Sequence, residues 1–139
     1  MIVFFDASSL IKLYIDEPDA QDTRRLAADS TAIAVSLISW VEVTSAFARR
    51  RREGFLTDAT LDAALDAFRS DWPSYVVMNV DEIEAAFLTL RHPLRAMDAI
   101  QLAAARGIAD VIPASELIVS CHDARLAIAA RDEGMTVRP

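Results

Sequence analysis

The chain is poor in the residues that signal several kinds of protein: it has one cysteine, three glycines and five prolines in 139 residues. A lone Cys121 excludes an internal disulfide framework and any cysteine-built zinc centre. With so little glycine and proline, no stretch has linker composition, and residues 1–139 read as a single domain. No apolar run approaches the roughly 18 residues of a membrane span. The opening Met1-Ile2-Val3-Phe4-Phe5-Asp6 lacks a basic leader and meets an acid after four apolar residues. It reads as a strand rather than a signal peptide, so a cytoplasmic protein with no membrane association is expected. There is no Gly-rich phosphate loop and no serine–histidine pairing.

What is present is 53% hydrophobic residues, enough for a substantial core, and an acidic balance of −7 with pI about 4.7. That balance opposes nucleic-acid binding, which needs positive surface for the phosphate backbone. Two features soften the conflict. All basic residues except Lys12 are arginine, and four stand together at Arg49-Arg50-Arg51-Arg52. Carboxylates that hold cations also count as negative until the cations bind. The arginine run closes a helical pattern, where cations meet the helix dipole. It suits RNA phosphates or an acidic partner equally.

Short apolar runs alternate with longer helical patterns. Ile2–Phe5, Ile33–Val35, Tyr75–Met78 and Leu117–Val119 have strand length and β-branched or aromatic character, and Met135–Val137 reads as a short fifth strand. Between them, Leu61, Leu65, Phe68 and Trp72 recur with helical period, and Ile83, Phe87 and Leu90 form a second stripe. Thr57 or Asp58 and Asp81 are placed to cap helices, and Gly54 and Gly134 to end them. Strand–helix alternation with continuously apolar strands predicts a parallel sheet covered by helices on both faces. Ligands of such sheets bind beyond the carboxyl ends of the strands.

Four acids stand out against this pattern. Asp6 directly follows the first strand run, where it is either a ligand-binding carboxylate in the crevice or the N-cap of a helix from Ala7 to about Tyr14. Glu42 is the only charge from Leu37 to Ala48; a carboxylate buried in such surroundings needs a proton, a cation or hydrogen bonds. Asp98 is the only acid in the Ala- and Leu-rich run from Leu94 to Ala105. With Pro93 as first helical residue, Asp98 falls beyond the first turn, where neither capping nor propensity explains it; Arg95 could simply pair with it. Asp123 follows the fourth strand run and precedes a helix, so an N-cap role is the strong alternative there. Of the histidines, His92 reads as the end of a helix and His122 as a loop residue beside Asp123. If the four acids converge, a hard divalent cation with oxygen ligands relieves their repulsion, which implies Mg²⁺ or Mn²⁺ rather than zinc.

The segments Val3-Phe4-Phe5-Asp6-Ala7-Ser8, Trp40-Val41-Glu42-Val43, Leu94 to Ala103 around Asp98, and Asp123-Ala124-Arg125-Leu126 resemble, in order and over essentially the whole chain, the PIN-domain family. The nearest likeness is to the VapC toxins of toxin–antitoxin pairs. The resemblance implies a three-layer α/β/α sandwich with a mainly parallel central sheet, and a Mg²⁺- or Mn²⁺-dependent endoribonuclease. It also implies an RNA substrate, a homodimer, and a cognate antitoxin that obstructs the site. Carried over, Asp6 and Asp98 are the principal metal ligands, Glu42 and Asp123 complete the catalytic set directly or through water, and Ser8 is a supporting hydroxyl. One departure stands out: the family commonly has Ser or Thr two residues before the fourth acid, and here that place is Cys121. Either Ser120 supplies that support through a small shift, or the support is missing.

Two other classes compete with the ribonuclease. A PIN-like module that has lost catalysis and acts by binding its antitoxin would suit the acidic pI and Cys121. A phosphatase with an aspartate nucleophile after its first strand would carry a second Asp two residues later, where this chain has Ser8.

Overall fold

The computed structural model describes residues 1–139. Five strands, β1 (Ile2–Phe5), β2 (Ala32–Ser36), β3 (Val76–Met78), β4 (Leu117–Ser120) and β5 (Thr136–Arg138), form one sheet in the order β3-β2-β1-β4-β5. Every pairing is parallel, so the sheet expected to be mainly parallel is wholly so. Seven α-helices cover it: α1 (Ala7–Leu10), α2 (Ala20–Ala28), α3 (Ser39–Arg52), α4 (Asp58–Asp71), α5 (Glu82–Arg91), α6 (Ala96–Ala109) and α7 (Ala124–Asp132). No helix is long and apolar enough to cross a membrane.

Side chains alternate across a strand, and this alternation builds the layers. Val3 and Phe5 of β1, with Val35 and Ile118, face a core closed by Leu10, Leu26, Val43, Phe47, Ala64 and Phe68 from α1 to α4. Phe4, Ala34 and Val119 face the opposite core, closed by Leu88, Leu102, Leu126 and a set of alanines from α5, α6 and α7. Strand β1 is therefore apolar on both sides, which explains its unbroken apolar run. The first three strands step outward from β1 to β3, and the chain then crosses to lay β4 on the other side of β1. The resulting switch point opens a crevice between the carboxyl ends of β1 and β4.

Helix ends follow the local chemistry. Thr57 caps α4 through a reciprocal box with Thr60, and Asp81 caps α5 by accepting from the Glu84 amide at 2.9 Å. Gly54 and Gly134, at φ of 83° and 84°, take the left-handed turns that end α3 and α7.

One helix presents its large apolar residues outward, and one helix start departs from expectation. The stripe Ile83, Phe87 and Leu90 is exposed at 67%, 54% and 82%, while Ala85 and Leu88 on another face of α5 are buried. Helix α6 begins at Ala96, with Arg95 as its N-cap residue, and not at Pro93. Asp98 consequently lies in the first turn, where the helix dipole already favours an acid.

The two faces of α5 differ in stability terms. Leu88→Ala is expected to cost about 3 kcal/mol by denaturant unfolding, because it opens a cavity in a closed core. Phe87→Ala is expected to change monomer stability by no more than about 0.5 kcal/mol. Equal costs would mean that the exposed row is packed in solution.

Candidate active site: a carboxylate cleft at the strand switch point

Asp6 is the deepest of the four acids. Its amide still donates to the Ser120 carbonyl at 3.2 Å, prolonging the β1–β4 ladder by one residue and fixing Asp6 at the sheet edge. Its carboxylate accepts from the Ser9 amide at 2.9 Å and caps α1. The Ser8 hydroxyl lies 2.8 Å from both carboxylate oxygens. The cap and the crevice position thus coexist, since a helix that begins directly after a strand puts its N-cap at the strand's carboxyl end. With 3% exposure, burial pushes the Asp6 carboxyl up to about 6, against the hydrogen bonds from Ser9, Ser8 and Cys121 and with the help of the Asp123 charge.

Cys121 takes the place where the family pattern has a hydroxyl. Its thiol donates to Asp6 Oδ2 at 3.3 Å and also meets the Asp123 carbonyl at 3.3 Å. Burial, with the Asp6 charge beside it, drives the thiol well above the usual range, so it stays protonated as a donor. Ser120 does not supply this support: its hydroxyl is buried without a hydrogen-bond partner. Ser8 also receives the His122 amide at 3.0 Å, tying the loop after β1 to the loop after β4.

The other acids enter from three helices. Glu42, in the first turn of α3, accepts from Gln101 Nε2 at 2.5 Å. Burial raises its pKa, as do the charges of Asp6 and Asp98, while the Gln101 bond opposes them. The Asp98 pKa is raised by burial and by Asp123, against Arg95 and Arg125. Asp98 Oδ2 is buried with no hydrogen-bond donor, although Arg95 Nε stands 3.5 Å away. Asp123 caps α7, accepting from the Leu126 amide at 2.9 Å, and its other oxygen lies 3.9 Å from Arg95. Asp6, Glu42, Asp98 and Asp123 all line one open cleft of about 550 Å³, together with Ser8 and Gln101.

Gln101 escaped the sequence reading. It is 2% exposed on α6, one turn after Asp98, and its amide nitrogen also reaches Ser39 Oγ at 3.0 Å. An ionised Glu42 can only accept, so the nitrogen must face it and Oε1 is left buried without a donor. The available signal was a single amide in the run Ala99 to Ala105 at helical spacing from Asp98. The histidines stand aside: His92 ends α5 and meets Glu133 at 2.7 Å, while His122, in the cleft wall, meets Thr23 at 3.2 Å.

The donor set suits a hard divalent cation: oxygen ligands only, mutually repelling, with one buried carboxylate oxygen that accepts no hydrogen bond. No three of these side chains converge as a ready-made ligand group in this arrangement. Water would therefore complete the coordination of any bound ion, as is usual for Mg²⁺.

The PIN domain family model matches residues 3–132. The chain is 30% identical over 142 aligned positions to Ribonuclease VapC45 of Mycobacterium tuberculosis, covering 99% of this chain and 95% of that protein. Its fold resembles that of PAE2754 from Pyrobaculum aerophilum, with a TM-score of 0.68 at 18% identity over 99% of this chain and 83% of the other. A toxin–antitoxin complex from Klebsiella pneumoniae contains a chain that matches with a TM-score of 0.57 at 21% identity, covering 87% and 86% of the two chains. The protein belongs to the PIN-domain family.

Raised carboxylate pKa values carry a stability cost when no cation is bound. The native state binds the Asp6 proton more tightly than the unfolded chain, so stability falls as pH rises from about 4 through about 6. Asp6→Asn, which keeps the cap but not the charge, is expected to stabilise the metal-free protein at pH 7 by roughly 2 kcal/mol. Its thermal midpoint should also vary less between pH 4 and pH 7. A destabilised Asp6→Asn protein at pH 7 would show that the ionised form is the one the fold favours.

Proposed function

Because the chain is a PIN domain, we propose that it is a metal-dependent endoribonuclease that acts as the toxin of a toxin–antitoxin pair. The observation that carries this reading is that four carboxylates line one cleft, with Asp98 Oδ2 buried and without a hydrogen-bond donor. Asp6 and Asp98 are the principal ligands in this reading, with Glu42 and Asp123 acting directly or through water. A bound Mg²⁺ or Mn²⁺ would polarise the phosphodiester and make water acidic enough to attack near neutral pH. Ser8 and Cys121 hold the Asp6 carboxylate in place, and Gln101 does the same for Glu42. The binding-only module loses one of its two supports, since the thiol of Cys121 does donate to the site.

Purified protein with Mn²⁺ is expected to cut RNA, and Asp98→Asn to lower the rate by at least about 100-fold with an unchanged fold by circular dichroism. Expression of the parent chain should arrest growth, Asp98→Asn should not, and the small protein encoded beside it should relieve the arrest. Equal cutting by parent and variant would trace the activity to a contaminant and remove the assignment.

The same reading includes a homodimer. The exposed row Ile83, Phe87 and Leu90 on α5 is the apolar surface that a second copy would cover. Light scattering should show a dimer that Phe87→Arg converts to a monomer. A monomeric parent at all concentrations would dispose of this part.

A further inference from the structure

The acids share their cleft with three cations, Lys12, Arg49 and Arg50. Helix α3 contributes Val41, Glu42, Ser45, Ala46, Arg49 and Arg50 to the lining, a spacing that marks one helical face. The helix is thus a wall with a carboxylate in its first turn and two guanidinium groups in its last. Glu42 and Arg49 are two turns apart, roughly 10 Å along the axis. A stacked strand rises about 3.4 Å per nucleotide, so this span is roughly three nucleotide steps.

The four arginines divide by direction, because successive helical residues turn by about 100°. Arg51 leaves the cleft to pair with Asp58 at 2.6 Å. Arg50 stays in the cleft and is ion-paired with Glu17. Lys12, 8% exposed, places Nζ 3.8 Å from the same Glu17 and donates to the Pro18 carbonyl at 2.6 Å. Arg49 is exposed along the lining and enters no ion pair. One carboxylate therefore sits between a lysine and an arginine, with a third cation unclaimed beside it. A backbone phosphate fits the same place: it is anionic, accepts several hydrogen bonds and suits guanidinium geometry.

We propose that Lys12, Arg49 and Arg50 form a subsite for an RNA backbone phosphate, roughly three nucleotides from the bond that is cut. Glu17 fills this subsite in the free protein and gives up Arg50 and Lys12 when RNA binds. The inference rests on the ribonuclease reading. RNA is favoured over an acidic protein segment because the subsite continues directly into the carboxylate end of the cleft. A chain of net charge −7 also needs local cations to hold a polyanion there.

The test uses the Asp98→Asn chain in Mg²⁺ buffer, so that a fluorescent single-stranded RNA stays intact during anisotropy titrations over a range of salt. Glu17→Gln added to this chain is expected to tighten binding about fivefold, by freeing two cations for phosphate. Arg49→Gln is expected to weaken binding about threefold and to reduce the slope of log affinity against log salt by about 0.7. Arg49 is exposed, so this second substitution does not threaten folding. In the cutting-competent chain, KM for RNA should fall with Glu17→Gln and rise with Arg49→Gln, with kcat held within about twofold. Unchanged or weaker RNA binding by Glu17→Gln, or an unchanged salt slope in Arg49→Gln, overturns the subsite. So does a glutamate-rich peptide that displaces RNA from the Asp98→Asn chain but not once Arg49→Gln is added, which assigns these cations to a protein partner. If the parent chain cuts no RNA and the Asp98→Asn chain binds none, the ribonuclease reading fails instead.

Discussion

Like-charge repulsion among Asp6, Glu42, Asp98 and Asp123 is the constraint around which the rest of this molecule is arranged. The sheet edge removes water from Asp6, and lowered solvation strengthens every charge that acts on it. The fold answers with donors aimed from three directions: the α1 amide of Ser9 with the Ser8 hydroxyl, the thiol of Cys121, and the amide of Gln101 on Glu42. None of these neutralises charge. They hold each carboxylate in a fixed orientation and leave the electrostatic debt open, a state in which a divalent cation gains more than at an exposed acid pair.

The overall acidity then has a local counterweight. Arg95 lies near both Asp98 and Asp123, at 3.5 and 3.9 Å, and is mostly exposed, so it can tolerate the acids without sealing the cleft. At the other end of α3 the charge reverses sign. The helix dipole favours this order, with Glu42 in the first turn and arginines in the last. The wall is thus stable as a helix for the same reason that it is polarised as a surface.

Much of the fold was legible because the central strands β1 and β4 are apolar or buried on both faces, which leaves a signal that does not depend on register. Asp6 could not be resolved between cap and ligand from its neighbours, because the strand's carboxyl end is both where a helix is capped and where the cleft opens. Asp98 was singled out for a partly wrong reason, since α6 starts later than Pro93 suggests and the dipole supplies some motive for the acid. The stripe on α5 marked the helix but not its buried face. The buried face uses Ala85 and Leu88, while the larger Ile83 and Phe87 point outward. Gln101 was hidden because its importance lies in a contact 59 residues away, which local spacing cannot report. The arginine run could not be divided at all, since four consecutive helical residues face every side.

The pairing of Phe5 with Ser120, and the hydrogen bond that the Cys121 thiol donates to Asp6 across 115 residues, have a consequence for the synthesis of the protein. Strand β1 leaves the ribosome well before its neighbour β4 has been made. Until then Asp6 lacks one of its donors, the crevice lacks a wall, and Asp123 has not been synthesised. Folding must therefore wait for a long-range closure, which is slow compared with local helix formation. A nascent chain that has not yet reached β4 and Asp123 holds no assembled site. The topology thus delays assembly of the cleft until β4 and Asp123 have both been made.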